Sequence, residues 1–131
     1  MERKIVNPWK WQDQFGFVQA NVVGGFQHLL LCSGQTAIDA EGKPCHPGDM
    51  RAQINMALDN LETVLREAGY TLADIVRMNY YTTDLDAFFQ AHDVVVTRLA
   101  QAGCKPASTL LGVQRLAFPE FLVELEATAA R

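Results

Sequence analysis

Residues Phe121–Ala127 (FLVELEA) repeat with period two. Val123, Leu125 and Ala127 project to one side of an extended chain, and Leu122, Glu124 and Glu126 to the other. That period belongs to a strand, and it demands a sheet with one apolar and one mixed face. Two carboxylates on one face of so apolar a strand are unusual, and they mark that face as a candidate small-molecule site. The preceding residues fit the same plan. Pro106 stops a helix, Ser108–Leu116 reads as a second strand, and Ala117–Glu120 reads as the turn between the two.

Upstream, Met1–Gln14 is polar and aromatic, with Pro8 and two tryptophans, and reads as an irregular arm with at most a short strand. Phe15–Val23 predicts a strand with Phe15, Phe17, Gln19 and Asn21 on one side. Gly24-Gly25 predicts a two-residue hairpin leading into a buried strand, His28–Ser33, which Gly34-Gln35 breaks. Asp39–Gly42 is a turn, and Pro44 and Pro47 keep the next stretch irregular. Asp49 is placed to cap a helix over Met50–Ala68, whose stripe is Met50, Ile54, Leu58, Leu61, Leu65 and Ala68. Gly69 ends it. Thr71 and Asp74 form a capping turn into a strand, Ile75–Thr82. A second helix starts near Asp86 and stops at Gly103, with Phe88, Val95 and Leu99 on its stripe and His92 among them.

The order β-β-α-β-α-β-β predicts an α+β fold, a mixed β-sheet with two helices packed on one face. The uncovered face, which carries Glu124 and Glu126, is best buried against copies of the same chain, so a homo-oligomer is expected.

At 131 residues the chain makes one domain, 1–131, large enough for a hydrophobic core. A net charge of -4 supplies no basic footprint, so no nucleic-acid partner is expected. Cys32, Cys45 and Cys104 form no CxxC pair and read as reduced thiols. With neither an apolar signal core nor a run of membrane-spanning length, a cytoplasmic location without membrane association is expected.

Metal chemistry has no support, because His28, His46 and His92 lie far apart with no HxxE or HExxH pattern. Ser33-Gly34 lacks the frame of a nucleophile elbow. The carboxylates remain. Glu124 could accept a proton or position a water; alternatively both glutamates pair with Arg77 or Arg115, or meet solvent at an oligomer seam. His92 reads as a core or interface histidine before it reads as a base.

Several segments together carry more. FVQA at Phe17–Ala20, SGQ at Ser33–Gln35, LDNLETVLREAG at Leu58–Gly69, DIV at Asp74–Val76, TTDLDAF at Thr82–Phe88 and the closing PAST…VQRL…LVELEATA follow one another in fixed order. In these segments the chain resembles the Rid family (YjgF/UK114), the reactive-intermediate imine/enamine deaminases. The resemblance implies a chorismate-mutase-like fold of the bacillary type and a homotrimer with three clefts between subunits. It implies hydrolysis of an imine or enamine derived from an amino acid, giving a 2-oxo acid and ammonia, with no metal or organic cofactor.

Carried residue by residue, the resemblance gives Glu124 the water-positioning role. It puts backbone contacts near Ser33, Gly34 and Leu110. The position of a pocket tyrosine is Phe17, and that of an asparagine on the second helix is His92. The carboxylate-gripping arginine falls on Ser108. A serine cannot form the bidentate charged pair, whose bonds are worth about 1.5–3 kcal/mol each. Its loss costs on the order of a hundredfold in recognising an amino-acid imine. Lys105, Arg115 and His92 are the neighbours that could replace the grip. Retained Glu124 and SGQ favour a small-metabolite hydrolase whose substrate is atypical; Ser108 and Phe17 favour a catalytically silent trimeric metabolite-binding module. The acidic balance argues against an endoribonuclease.

Overall fold

The alternating segment forms the strand β6 (Val123–Ala130), which lies inside a four-stranded sheet. Its neighbours are β3 (Leu29–Leu31) and β4 (Ile75–Thr82), and β5 (Ala107–Gly112) closes the far edge, in the order β3-β6-β4-β5. The computed structural model describes all residues, 1–131. β6 is antiparallel to both neighbours, whereas β4 and β5 are parallel, so the sheet is mixed. Parallel pairing needs a crossover, and the helical segment between β4 and β5 supplies it. β5 and β6 therefore flank β4 and do not form a hairpin, and the segment expected to be a short turn carries the chain past β4.

The helical expectation holds for α1 (Met50–Glu67), where the Asp49 side chain accepts from Ala52 N–H at 3.0 Å. Its stripe Ile54, Leu58, Leu61 and Leu65 is fully buried. Each such side chain stabilises the fold by about 1.5–3 kcal/mol. Gly69 takes φ +83°, as a helix terminator does. The Thr71 N–H donates to Asp74 Oδ2 at 2.8 Å, holding the turn that enters β4.

The second expected helix is two: α2 (Leu85–Gln90) and α3 (His92–Ala102), separated at Ala91 (φ -107°, ψ 6°). No proline or glycine between Leu85 and Ala102 signals that break. All three helices lie on one face, where Ile54, Leu61, Phe88, Val95 and Leu99 pack with Met78, Val123, Leu125 and Ala127 in a single core.

The N-terminal half departs further from expectation. Phe15–Val23 is not one strand: Trp11–Phe15 forms a 3-10 turn, and only Ala20–Gly24 is a strand, β2. β2 pairs with β1 (Glu2–Val6) as a separate antiparallel ribbon. Gly24-Gly25 thus joins two sheets, not two arms of a hairpin. Arg3 pins the ribbon to the main sheet, donating to Asn21 Oδ1 and to the carbonyls of Ala73, Ile75 and Lys105. The His28–Ser33 strand shortens to β3 at the sheet edge, and Leu31 is 74% exposed there.

Candidate functional site

Strand pairing fixes which side chains share a face. Tyr81 lies opposite Glu124 and Asn79 opposite Glu126 across the β4–β6 pair, on the face away from the helices. The two carboxylates sit in different surroundings. Glu126 accepts from the Tyr81 hydroxyl and from Asn79 Nδ2 (3.0 Å). These bonds hold its carboxyl below the ordinary range. Glu124 has neither donor; burial, and then the negative charge of Glu126, push its carboxyl up. No arginine pairs with either glutamate: the three ion pairs of the chain join Arg51 to Asp93 and Arg98 to Asp59 and Glu62. Arg77 donates to Thr109 Oγ1 at 2.7 Å instead.

Gly34 makes room for Glu124. Gln35 and Leu125 exchange backbone hydrogen bonds of 2.6 and 2.9 Å, which lay the Ser33–Gln35 segment along β6. A Cβ on Gly34 would come within 1.9 Å of Glu124 Oε1. Ser33 is exposed, and its carbonyl accepts from Gln35 Nε2 at 3.3 Å.

The other expected site residues lie elsewhere. Ser108 pairs with Met78 and Leu110 with Tyr80, so both point to the helix side of the sheet. With Phe17, His92, Phe15, Tyr80, Phe88 and Phe89 they line a cavity of about 310 Å³. The His92 ring stands 5.6 Å from Phe88 and 6.1 Å from Phe15, centroid to centroid. Burial lowers its pKa, with the Asp93 charge opposing, and so favours the neutral ring. The Ser108 hydroxyl oxygen is buried without a hydrogen-bond partner.

Of the three residues that could replace the missing arginine, only His92 lines this cavity. Lys105 lines a separate one, between the N-terminal ribbon and α3. Arg115 is exposed in the loop after β5. The expected site residues of a single chain thus fall into two separate groups: Gly34 and Glu124, with Ser33 beside them, and Phe17, His92, Ser108 and Leu110 around the cavity on the helix side. No three side chains of the metal-ligating types converge anywhere in the chain.

The sequence reading missed Phe15, Tyr80, Phe88 and Phe89 as cavity walls, and Tyr81 and Asn79 as partners of Glu126. The aromatics look like core residues in sequence, but edge strand β5 leaves the end of the core open beside them. The Tyr81–Glu126 pair depends on register, which alternation alone does not give.

The family model described as Endoribonuclease L-PSP matches residues 14–131. A solved structure of a conserved Rid family protein from Yersinia pestis superposes with a TM-score of 0.90, at 35% identity over 100% of both chains. A RutC family protein of Pyrococcus abyssi is 33% identical over 86% of this chain and 84% of its own. The 2-iminobutanoate/2-iminopropanoate deaminase of Escherichia coli is 27% identical over 79% of this chain and 80% of its own. No helix is long and apolar enough to cross a membrane. By fold, motif order and these matches, the chain belongs to the Rid (YjgF/UK114) family.

Proposed function

We propose that the protein hydrolyses a small imine or enamine, releasing ammonia, at clefts between the three copies of a homotrimer with a chorismate-mutase-like fold. The observation that carries the reading is the divergence of the two neighbouring carboxylates. Glu126 accepts from Tyr81 and Asn79, which hold its carboxyl down, while Glu124 has neither donor and burial pushes its carboxyl up. Environments that drive paired carboxyls apart assign acid–base roles.

In the proposed reaction Glu124 takes a proton from water as the oxygen attacks the imine carbon. The electron pair of the C=N bond moves to nitrogen, which takes up that proton. Glu124 then carries the hydroxyl proton of the carbinolamine to the amino nitrogen; the C–N bond breaks with its electron pair leaving on nitrogen, the oxygen lone pair forms C=O, and a carbonyl compound and ammonia remain. Gly34 leaves space for the carboxylate, and the open face supplies water. The aromatic half-site on the helix side receives the organic part of a substrate bound to the neighbouring copy's glutamate. The separation of the half-sites within one chain supports a shared site, because neither half is complete alone.

The relative from Escherichia coli is named for 2-imino acids. The place of Ser108 in this chain favours an imine without that carboxylate. The net charge of -4 gives no support to ribonuclease activity, despite the description of the family model. The test is imine hydrolysis followed by ammonia release, with imines generated in situ by an amine or amino-acid oxidase. Glu124→Gln is expected to lower turnover by about a hundredfold or more with an unchanged circular-dichroism spectrum. Wild-type turnover should fall on acidification at a pH above the ordinary glutamate range, since the acting form is the carboxylate. Equal turnover of the two proteins removes Glu124 from the mechanism. A wild type inactive on every imine leaves the metabolite-binding module.

A further inference from the structure

The cavity beside β5 has a composition that chooses among ligands. Its walls are Phe15, Phe17, Tyr80, Phe88, Phe89 and Leu110, and the polar side-chain groups among its lining residues are the Ser108 hydroxyl, the His92 imidazole and the Tyr80 hydroxyl, all neutral. None of the lining residues is lysine or arginine. The Ser108 hydroxyl is buried with no partner in the chain. A buried hydroxyl without a partner is a cost the fold carries, and a ligand with a neutral donor or acceptor relieves it. A carboxylate in the same place would lose its hydration and meet no counter-charge. There is also room for a ring. A cavity of about 150 Å³ accepts benzene, so about 310 Å³ accepts one ring bearing a short polar substituent. Aromatic rings at tilted angles already line the space: Phe15 against His92 at 6.1 Å, and Phe88 against His92 at 5.6 Å. An added ring continues that packing.

We propose that this cavity binds a neutral, single-ring aromatic imine and its carbonyl product, the ring lying among Phe15, Phe17, Phe88 and Phe89 and the polar end on Ser108 Oγ and the His92 imidazole. The assignment of substrate class rests on the hydrolase reading above, whereas the preference for neutral over anionic ligands rests on the lining that this chain supplies. Ser108 is then the specificity-determining residue. It replaces ion-pair recognition of a carboxylate by a neutral hydrogen bond, and the phenylalanines supply the affinity that the lost charge no longer gives.

Benzamide and benzoate form a suitable probe pair, equal in shape and different in charge. Calorimetric titration of the intact protein at pH 7.5 is expected to show benzamide binding at least about tenfold more tightly than benzoate, a difference of about 1.4 kcal/mol. Ser108→Ala should weaken benzamide about three- to tenfold, the worth of one hydrogen bond, and Ser108→Arg should reverse the preference toward benzoate. Benzoate binding as tightly as benzamide, or neither probe binding at millimolar concentration, overturns the proposal, and the wild-type ratio decides this even if the arginine variant does not fold. The two readings separate in the same samples. Benzamide selectivity without imine hydrolysis keeps this inference and removes the hydrolase. Hydrolysis of 2-iminopropanoate without benzamide binding keeps the hydrolase and removes this inference.

Discussion

Gly34 and Glu124 lie far apart in sequence and touch in the fold. The atoms that an alanine Cβ at position 34 would strike are Glu124 Oε1, Cδ and Cγ, all of a flexible side chain. Gly34 is also outside the positive-φ region, so alanine there strains no backbone. The carboxylate must move and the fold can stay. Gly34→Ala is therefore expected to lower turnover at least about tenfold, since displacing a reacting group by about 1 Å can cost a hundredfold. The loss of stability should stay below about 1 kcal/mol and should vanish in a Glu124→Ala background, as a double-mutant cycle by thermal denaturation will read. A stability loss that persists in that background would place the clash on the backbone instead. The glycine was visible in sequence as part of SGQ, but its contact was not. Likewise the glutamates were visible, yet in place of an arginine Glu126 takes Tyr81 and Asn79 on the adjacent strand, and Glu124 takes neither.

At the scale of elements, periodicity found α1 and β4 almost to the residue, because each has a clear apolar period and α1 has a cap at each end, and it found β6 with its faces right but its bounds shifted from Phe121–Ala127 to Val123–Ala130. It failed where tertiary contact overrides local preference: in the broken α2–α3 segment and in the 3-10 turn at Trp11–Phe15. One polar residue of α1 links the core to the site. Gln53 is fully buried; its Nε2 donates to the carbonyls of His46 and Glu120, at 3.0 and 2.8 Å, and its Oε1 accepts from Leu122 N–H at 2.8 Å. Gln53 so fixes the entry into β6 two residues before Glu124. Gln53→Leu keeps the volume and leaves three backbone groups without their partner. It should cost about 2–4 kcal/mol in urea denaturation, and turnover should fall although the residue touches no ligand. A neutral effect on stability would show that water replaces the amide.

At the scale of the whole molecule, the sheet has one finished face and one unfinished face. Leu29, Leu31 and Leu111 are exposed on the side that carries Glu124, Glu126 and Arg77. Covering such a surface with copies of itself is the reason for the proposed trimer. Light scattering is expected to give three times the chain mass, and Leu31→Glu, which puts a charge on the most exposed of these leucines, should shift the particle toward the monomer. If the half-sites are shared between copies, that variant loses turnover in parallel with mass. A monomeric wild type would sink both the trimer and the shared cleft.

The sequence by itself determined the local pieces and the kinship. Alternation around Val123–Ala127, the capped stripe of α1 and the ordered motifs from Phe17 to Ala127 are properties of neighbouring residues and of their order, and these can be read along the chain. Only the tertiary structure decided that β1–β2 stands apart from the main sheet and that β5 and β6 flank β4. It also decided that Ser108 and Glu124 look to opposite sides of one sheet. Those facts depend on register and on the crossover from β4 to β5. A shift of one residue in either would exchange the faces while leaving every local period unchanged.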